Sequence, residues 1–146
     1  RIRRVEGLSY GVGSNLSAQS LDRFGQFTVY AIYAPQNATR LVQGFKEEIV
    51  KVVTEGFTAE EITAAKSGYL QARSQGRAND DELVNTLVTR RFAGRTMAWD
   101  EKYEAAVQTL TPGAVNATVK KHIDPSKMVM VKSGDFVKNP PTKVTP

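Results

Sequence analysis

The sequence predicts an α+β fold, an antiparallel sheet with helices packed on one face. Three observations predict it: two β-prone runs stand close together near the start, a series of stretches with helical apolar spacing follows, and a short apolar run comes near the end. Length and composition agree with one ordinary domain, at 146 residues, 40% apolar and 24% charged. No apolar run approaches the roughly 18 residues needed to span a bilayer.

The chain opens Arg1-Ile2-Arg3-Arg4-Val5-Glu6-Gly7. Basic residues followed by Gly mark a helix end, because cations oppose the negative end of the helix dipole and Gly takes the left-handed step that stops the helix. The expected domain is therefore truncated at its N-terminus. Residues 8–19 and 25–34 follow as strands, joined by the polar stretch from Ser20 to Phe24. Leu8, Tyr10 and Val12 share one face of the first strand, and its glycines predict that another backbone comes close. The second strand is β-branched or aromatic on both faces, as a sandwiched central strand would be.

Pro35-Gln36-Asn37 ends the sheet, with Asn37 as the expected N-cap of a helix in which Leu41, Phe45, Ile49 and Val53 recur every four residues. Gly56 stops it. Thr58-Ala59-Glu60-Glu61 reads as a capping box, in which hydroxyl and carboxylate each satisfy a free backbone N–H. The helix it begins carries Ile62, Ala65, Tyr69 and Ala72 on one side. A third helix opens at Asn79-Asp80-Asp81-Glu82 and closes at Gly94, a short one runs from Asp100, and Thr111-Pro112 starts the last. Met128 to Val131 is expected as a buried final strand. Residues 1–136 then form the domain, and 137–146 a Pro-rich tail expected to be disordered.

Most chemistry is excluded by residue type. There is no cysteine, hence no disulfide, thiolate metal site or cysteine nucleophile. A zinc hydrolase site needs three protein ligands, and the one histidine, His122, sits where a helix-end cation belongs, so no metal site is expected. The serines near the start have no histidine nearby in sequence and no Gly-x-Ser-x-Gly elbow. Gly11-Val12-Gly13 lacks what a phosphate loop requires. The net charge of +5 is scattered, with no aromatic-interleaved basic stripe, so no nucleic-acid partner is expected. One constellation remains. Arg3 and Tyr10 lie seven residues apart across a helix-to-strand junction. A guanidinium can donate two hydrogen bonds to peptide carbonyls and a phenol one to a developing oxyanion, although spacing alone favours a surface Arg beside a sandwiched Tyr.

The whole string Arg1-Ile2-Arg3-Arg4-Val5-Glu6-Gly7-Leu8-Ser9-Tyr10-Gly11-Val12-Gly13-Ser14 resembles a segment of the second domain of pitrilysin/insulinase-type metallopeptidases, which include the mitochondrial processing peptidases. The likeness continues through Gly25-Gln26-Phe27, Ala34-Pro35-Gln36-Asn37, Gly56 to Lys66, Leu110-Thr111-Pro112 and Met130 to Gly134. It implies a metallopeptidase-like two-layer sandwich, and a C-terminal, zinc-free domain facing a catalytic domain that bears an inverted His-x-x-Glu-His motif, absent here. It further implies that Arg3 and Tyr10 bind substrate carbonyls near the scissile bond, with Arg4 and Arg1 as alternatives if the register shifts. The chain would then be the substrate-binding half of a zinc endopeptidase acting on extended peptides, inactive alone. It would hold no cofactor, the zinc lying in the missing half. Its expected partners are a peptide and the catalytic domain, on the same chain or a partner subunit, and a homodimer through exposed sheet edges. Relatives of this type are often periplasmic, which sets that compartment ahead of the cytoplasm. The alternative role is a non-catalytic scaffold of the same fold family.

Overall fold

Strand propensity and a polar connector produce a hairpin first. In the computed structural model, which describes residues 1–142, β1 (Gly11–Ala18) pairs antiparallel with β2 (Gly25–Ile32), Gly11 opposite Ile32 and Ala18 opposite Gly25. Five helices follow: α1 (Ala38–Glu55), α2 (Ala59–Arg77), α3 (Asp80–Phe92), α4 (Met97–Thr109) and α5 (Pro112–His122). The fold is α+β, and it divides into two compact units, residues 1–54 with 123–146 and residues 55–122.

In the first unit the hairpin and α1 are held by what precedes them. Val5 and Glu6 donate their backbone N–H groups to the Arg1 carbonyl, and Leu8 donates to that of Ile2. Gly7 takes φ 62°, the left-handed step that turns the chain toward β1. Ile2 sits over α1 at Gly44, where a Cβ would lie 3.8 Å from it. Ala38, Leu41, Gly44 and Ile49 form the buried side of that helix. β2 is not sandwiched: Phe27, Val29 and Ala31 are half-buried, whereas Tyr30 and Ile32 on its other face are exposed. The close approach at Gly13 is also not to backbone. The Tyr30 ring opposite lies where a Gly13 Cβ would be, 2.8–2.9 Å away, so the aromatic covers the cross-strand glycine.

Three further expectations are corrected here. Asn37 does not cap α1; it ends a 3-10 turn, Pro35–Asn37, and its side-chain amide donates to the Leu8 carbonyl, tying the helix start to the junction. Residues 8–10 precede β1, although the Tyr10 N–H already bonds the Ile32 carbonyl. Met128 to Val131 forms no strand. An isolated extended segment gains nothing without a neighbour to pair with, and among the described residues it has none, leaving Val129 and Val131 exposed. Of the expected tail, Thr142 donates its N–H to the Gln36 carbonyl, and residues 143–146 lie outside the described residues.

The second unit is helical. The capping box forms as read: the Glu61 N–H donates to the Thr58 hydroxyl at 3.2 Å and the Thr58 N–H to the Glu61 carboxylate at 2.9 Å. Asn79 caps α3 through the Glu82 N–H, and Thr111 caps α5 through the Ala114 N–H. α4 begins at Met97, earlier than the acidic Asp100 indicates. The Asn116 side chain pairs with both backbone groups of Phe57, and Gly56 beside it takes φ 79°. Lys66 donates to the carbonyls of Gln108 and Leu110 at the end of α4, where a cation meets the negative end of the helix. α2 packs on α3 and on α4.

Candidate functional site

The junction from Arg1 to Tyr10 distributes its arginines unequally. Arg1 bonds Glu6 at 2.6 Å, Glu47 at 2.5 Å and Glu48 at 2.9 Å. Glu6 and Glu47 are shared with Arg40 of α1, at 2.7 and 3.3 Å. The three glutamates raise the Arg1 pKa further, and Arg1 holds the Glu47 carboxyl below its usual range. This network straps the turn to α1 and engages Arg1 with three carboxylates.

Arg3 and Arg4 are different. Both are exposed, and among the described residues neither has a hydrogen-bond or ion-pair partner. Tyr10 stands 73% exposed, its hydroxyl likewise unpartnered. Its backbone is fixed by the bond to Ile32, and the neighbouring Ser9 is buried with its hydroxyl donating to the carbonyls of Gly11 and Ile32. The expected pair therefore consists of two solvent-facing donors on either side of a left-handed glycine, anchored by backbone and ion pairs that neither side chain supplies. Arg3 and Tyr10 do not bond each other. Both are available to a third group.

A second polar cluster, in the helical unit, is not evident from the sequence reading. Asp100, 2% exposed, accepts from Arg90 at 2.7 and 2.8 Å and from Arg73 at 2.5 Å. Glu104, one turn on, accepts from Arg73 and Arg77. Arg90 first and Arg73 second hold the Asp100 carboxyl below its usual range, against its burial, and Arg77 does the same for Glu104. Trp99 and Tyr103 stack with centroids 5.1 Å apart, and the guanidinium groups of Arg90 and Arg95 lie 4.8 and 4.2 Å from the Trp99 ring. Tyr69 and Tyr103 share a hydroxyl contact of 3.1 Å, which, ahead of burial, raises the Tyr103 pKa. An open cleft of about 290 Å³ adjoins this cluster, lined in part by Tyr69, Thr86 and Met97. A sequence signal for it exists: Arg73 and Arg77 on α2 and Asp100 and Glu104 on α4 are complementary four-residue pairs. Its arginines and carboxylates satisfy one another, which makes it a clamp between helices.

No group of three or more His, Cys, Asp or Glu side chains among the described residues could hold a metal ion. His122 is exposed at the end of α5, in the basic last turn. Among the described residues no helix is long and apolar enough to cross a membrane.

Comparison with known proteins gives a consistent pattern. Residues 1–69 match the family model described as the peptidase M16 inactive domain. The fold is similar to the crystal structure of a peptidase M16 inactive domain from Pseudomonas fluorescens, with a TM-score of 0.73 and 22% identity. That likeness covers 86% of this chain and 29% of that one, so this chain spans under a third of the length of the structure it resembles. No curated protein matches significantly.

Proposed function

We propose, from the match of residues 1–69 to the family model of the peptidase M16 inactive domain and the similarity of fold, that this chain is the substrate-binding, zinc-free half of a zinc endopeptidase acting on extended peptides. The observation that carries the reading is the junction itself. Arg3 and Tyr10 both face solvent without partners among the described residues, while the backbone around them is held by Glu6, Asn37 and Ser9. Donors kept free on a fixed scaffold are what a ligand with carbonyl oxygens requires, because the geometry needs no reorganisation on binding. Arg3 would hold the peptide main chain, and the Tyr10 hydroxyl would donate to the carbonyl oxygen as charge gathers there.

The described residues do not fit zinc, so on this reading the metal and the general base belong to a catalytic domain, on the same chain or a partner. A periplasmic setting is part of the same proposal. In the complete enzyme, Tyr10→Phe is expected to lower turnover about 100-fold, the usual cost of one oxyanion donor. A change below twofold would return Tyr10 to surface packing and leave the scaffold role. One observation favours that second role: the hairpin exposes apolar side chains on both faces, Val12 and Leu16 on one and Tyr30 and Ile32 on the other, of the kind that structural subunits bury.

A further inference from the structure

The charge of the molecule is unequally divided. Residues 55–122 carry nine basic and nine acidic residues, whereas the unit that holds the junction, residues 1–54 and 123–146, carries 11 basic and 6 acidic ones. The whole excess of +5 therefore belongs to the unit of Arg3 and Tyr10. Within it, five of the six acidic side chains are already engaged. Glu6, Glu47 and Glu48 are taken by Arg1 and Arg40, Asp124 pairs with Lys127 at 3.3 Å, and Asp135 accepts the Lys138 N–H. Arg3 and Arg4 are the exposed cations of the junction left without any counter-charge among the described residues.

From this the geometry points to acidic peptides as the substrate class, with Arg4 as the residue that selects them. The inference rests on the peptide-binding reading and adds to it. A peptide amide engages Arg3 through hydrogen bonds and carries no charge, so it leaves Arg4 uncompensated. A Glu or Asp side chain one or two residues along an extended peptide supplies the missing anion. A guanidinium takes a carboxylate through two parallel N–H donors, a stronger and more directional contact than a lysine ammonium makes. The positive field of the surrounding unit raises the local concentration of such peptides and speeds their arrival. A nucleic acid would also meet a positive surface, but Arg3 and Arg4 stand on a turn with a single neighbouring Tyr10, not on an array of rings for stacking bases.

The test is fluorescence anisotropy of the 146-residue chain with three labelled peptides of one backbone length, carrying two Glu, two Gln or two Lys residues, and with a single-stranded DNA 12-mer. At low salt the Glu peptide is expected to bind about tenfold more tightly than the Gln peptide. That ratio should collapse toward one as salt shortens the range of the charges. Arg4→Gln is expected to bring the ratio within twofold of one, whereas Arg3→Gln should weaken Glu and Gln peptides alike. Equal binding of Glu and Gln peptides by the native chain overturns the acidic preference and leaves peptide binding standing. Failure of every peptide to bind removes both. Binding of DNA more tightly than the Glu peptide assigns the charge to nucleic acid and overturns the inference. A Glu-over-Gln ratio that survives Arg4→Gln overturns the role given to Arg4.

Discussion

Gly7 and Gly56 both occupy left-handed backbone, yet they are not equivalent. A Cβ at Gly7 meets nothing within 4 Å, so Gly7→Ala carries only the conformational penalty of about 1–2 kcal/mol. At Gly56 the Cβ would fall 2.5–2.9 Å from the Asn116 side chain, which is itself held by both backbone groups of Phe57. Gly56→Ala is expected to cost more than Gly7→Ala, because it either breaks that pairing or distorts the turn. Urea unfolding of the two variants decides it, and equal losses would show that Asn116 steps aside freely. Tyr33 presents the opposite case. Its hydroxyl is buried without a partner among the described residues, a desolvation cost without return. Tyr33→Phe should leave stability unchanged or raise it by up to about 1 kcal/mol, and a loss beyond that would reveal a bond to that oxygen.

At the scale of elements, the helical unit depends on a few charges. Asp100 joins α4 to Arg73 on α2 and Arg90 on α3, so it reaches two helices from a third. Asp100→Asn leaves two guanidinium groups facing a neutral amide, and is expected to cost about 2–3 kcal/mol, since a half-removed buried pair is worse than none. The one tryptophan, Trp99, lies beside the clamp and reports its loss as an altered emission and an earlier unfolding midpoint. The pH dependence follows from the same groups. Asp100 and Glu104 hold fewer protons folded than unfolded, because both are depressed by arginines. Their stabilisation is complete above the unfolded carboxylate range near 4, and it drains away as pH falls through that range toward their lower folded values. Acid titration of native chain and Asp100→Asn should therefore differ most at neutral pH and converge only once pH has fallen below the lowered folded value of Asp100.

For the molecule as a whole, the apolar surface is the dominant feature. Leu16 is 74% exposed on β1, and Val129, Val131 and Val137 are more exposed still. Unpaired strand edges next to such residues invite other chains. The isolated chain is expected to self-associate, with Leu16→Lys reducing light scattering while stability stays within about 0.5 kcal/mol. Unchanged scattering would place the sticky surface elsewhere. The sequence made the helices legible because caps and four-residue apolar spacing are local: Thr58 with Glu61, Asn79 with Glu82, and Thr111 with Ala114 all form as expected. What escaped it was non-local. Met128 to Val131 has the composition of a strand, but pairing depends on a neighbour, which composition cannot supply. The clamp escaped for a similar reason, since its five charged residues come from three helices. At the junction, the family resemblance implied Arg3 and Tyr10 where spacing alone favoured a surface Arg, and only the folded chain separates the ion-paired Arg1 from Arg3 and Arg4, which have no partner among the described residues.

Ile32 stands opposite Gly11 in the hairpin, and its carbonyl also accepts the Tyr10 N–H. Two successive residues of the incoming chain thus meet one residue of β2, an offset of the kind that bends a strand and re-aims the side chain it carries. The doorway into the hairpin, and not its ladder, orients the phenol.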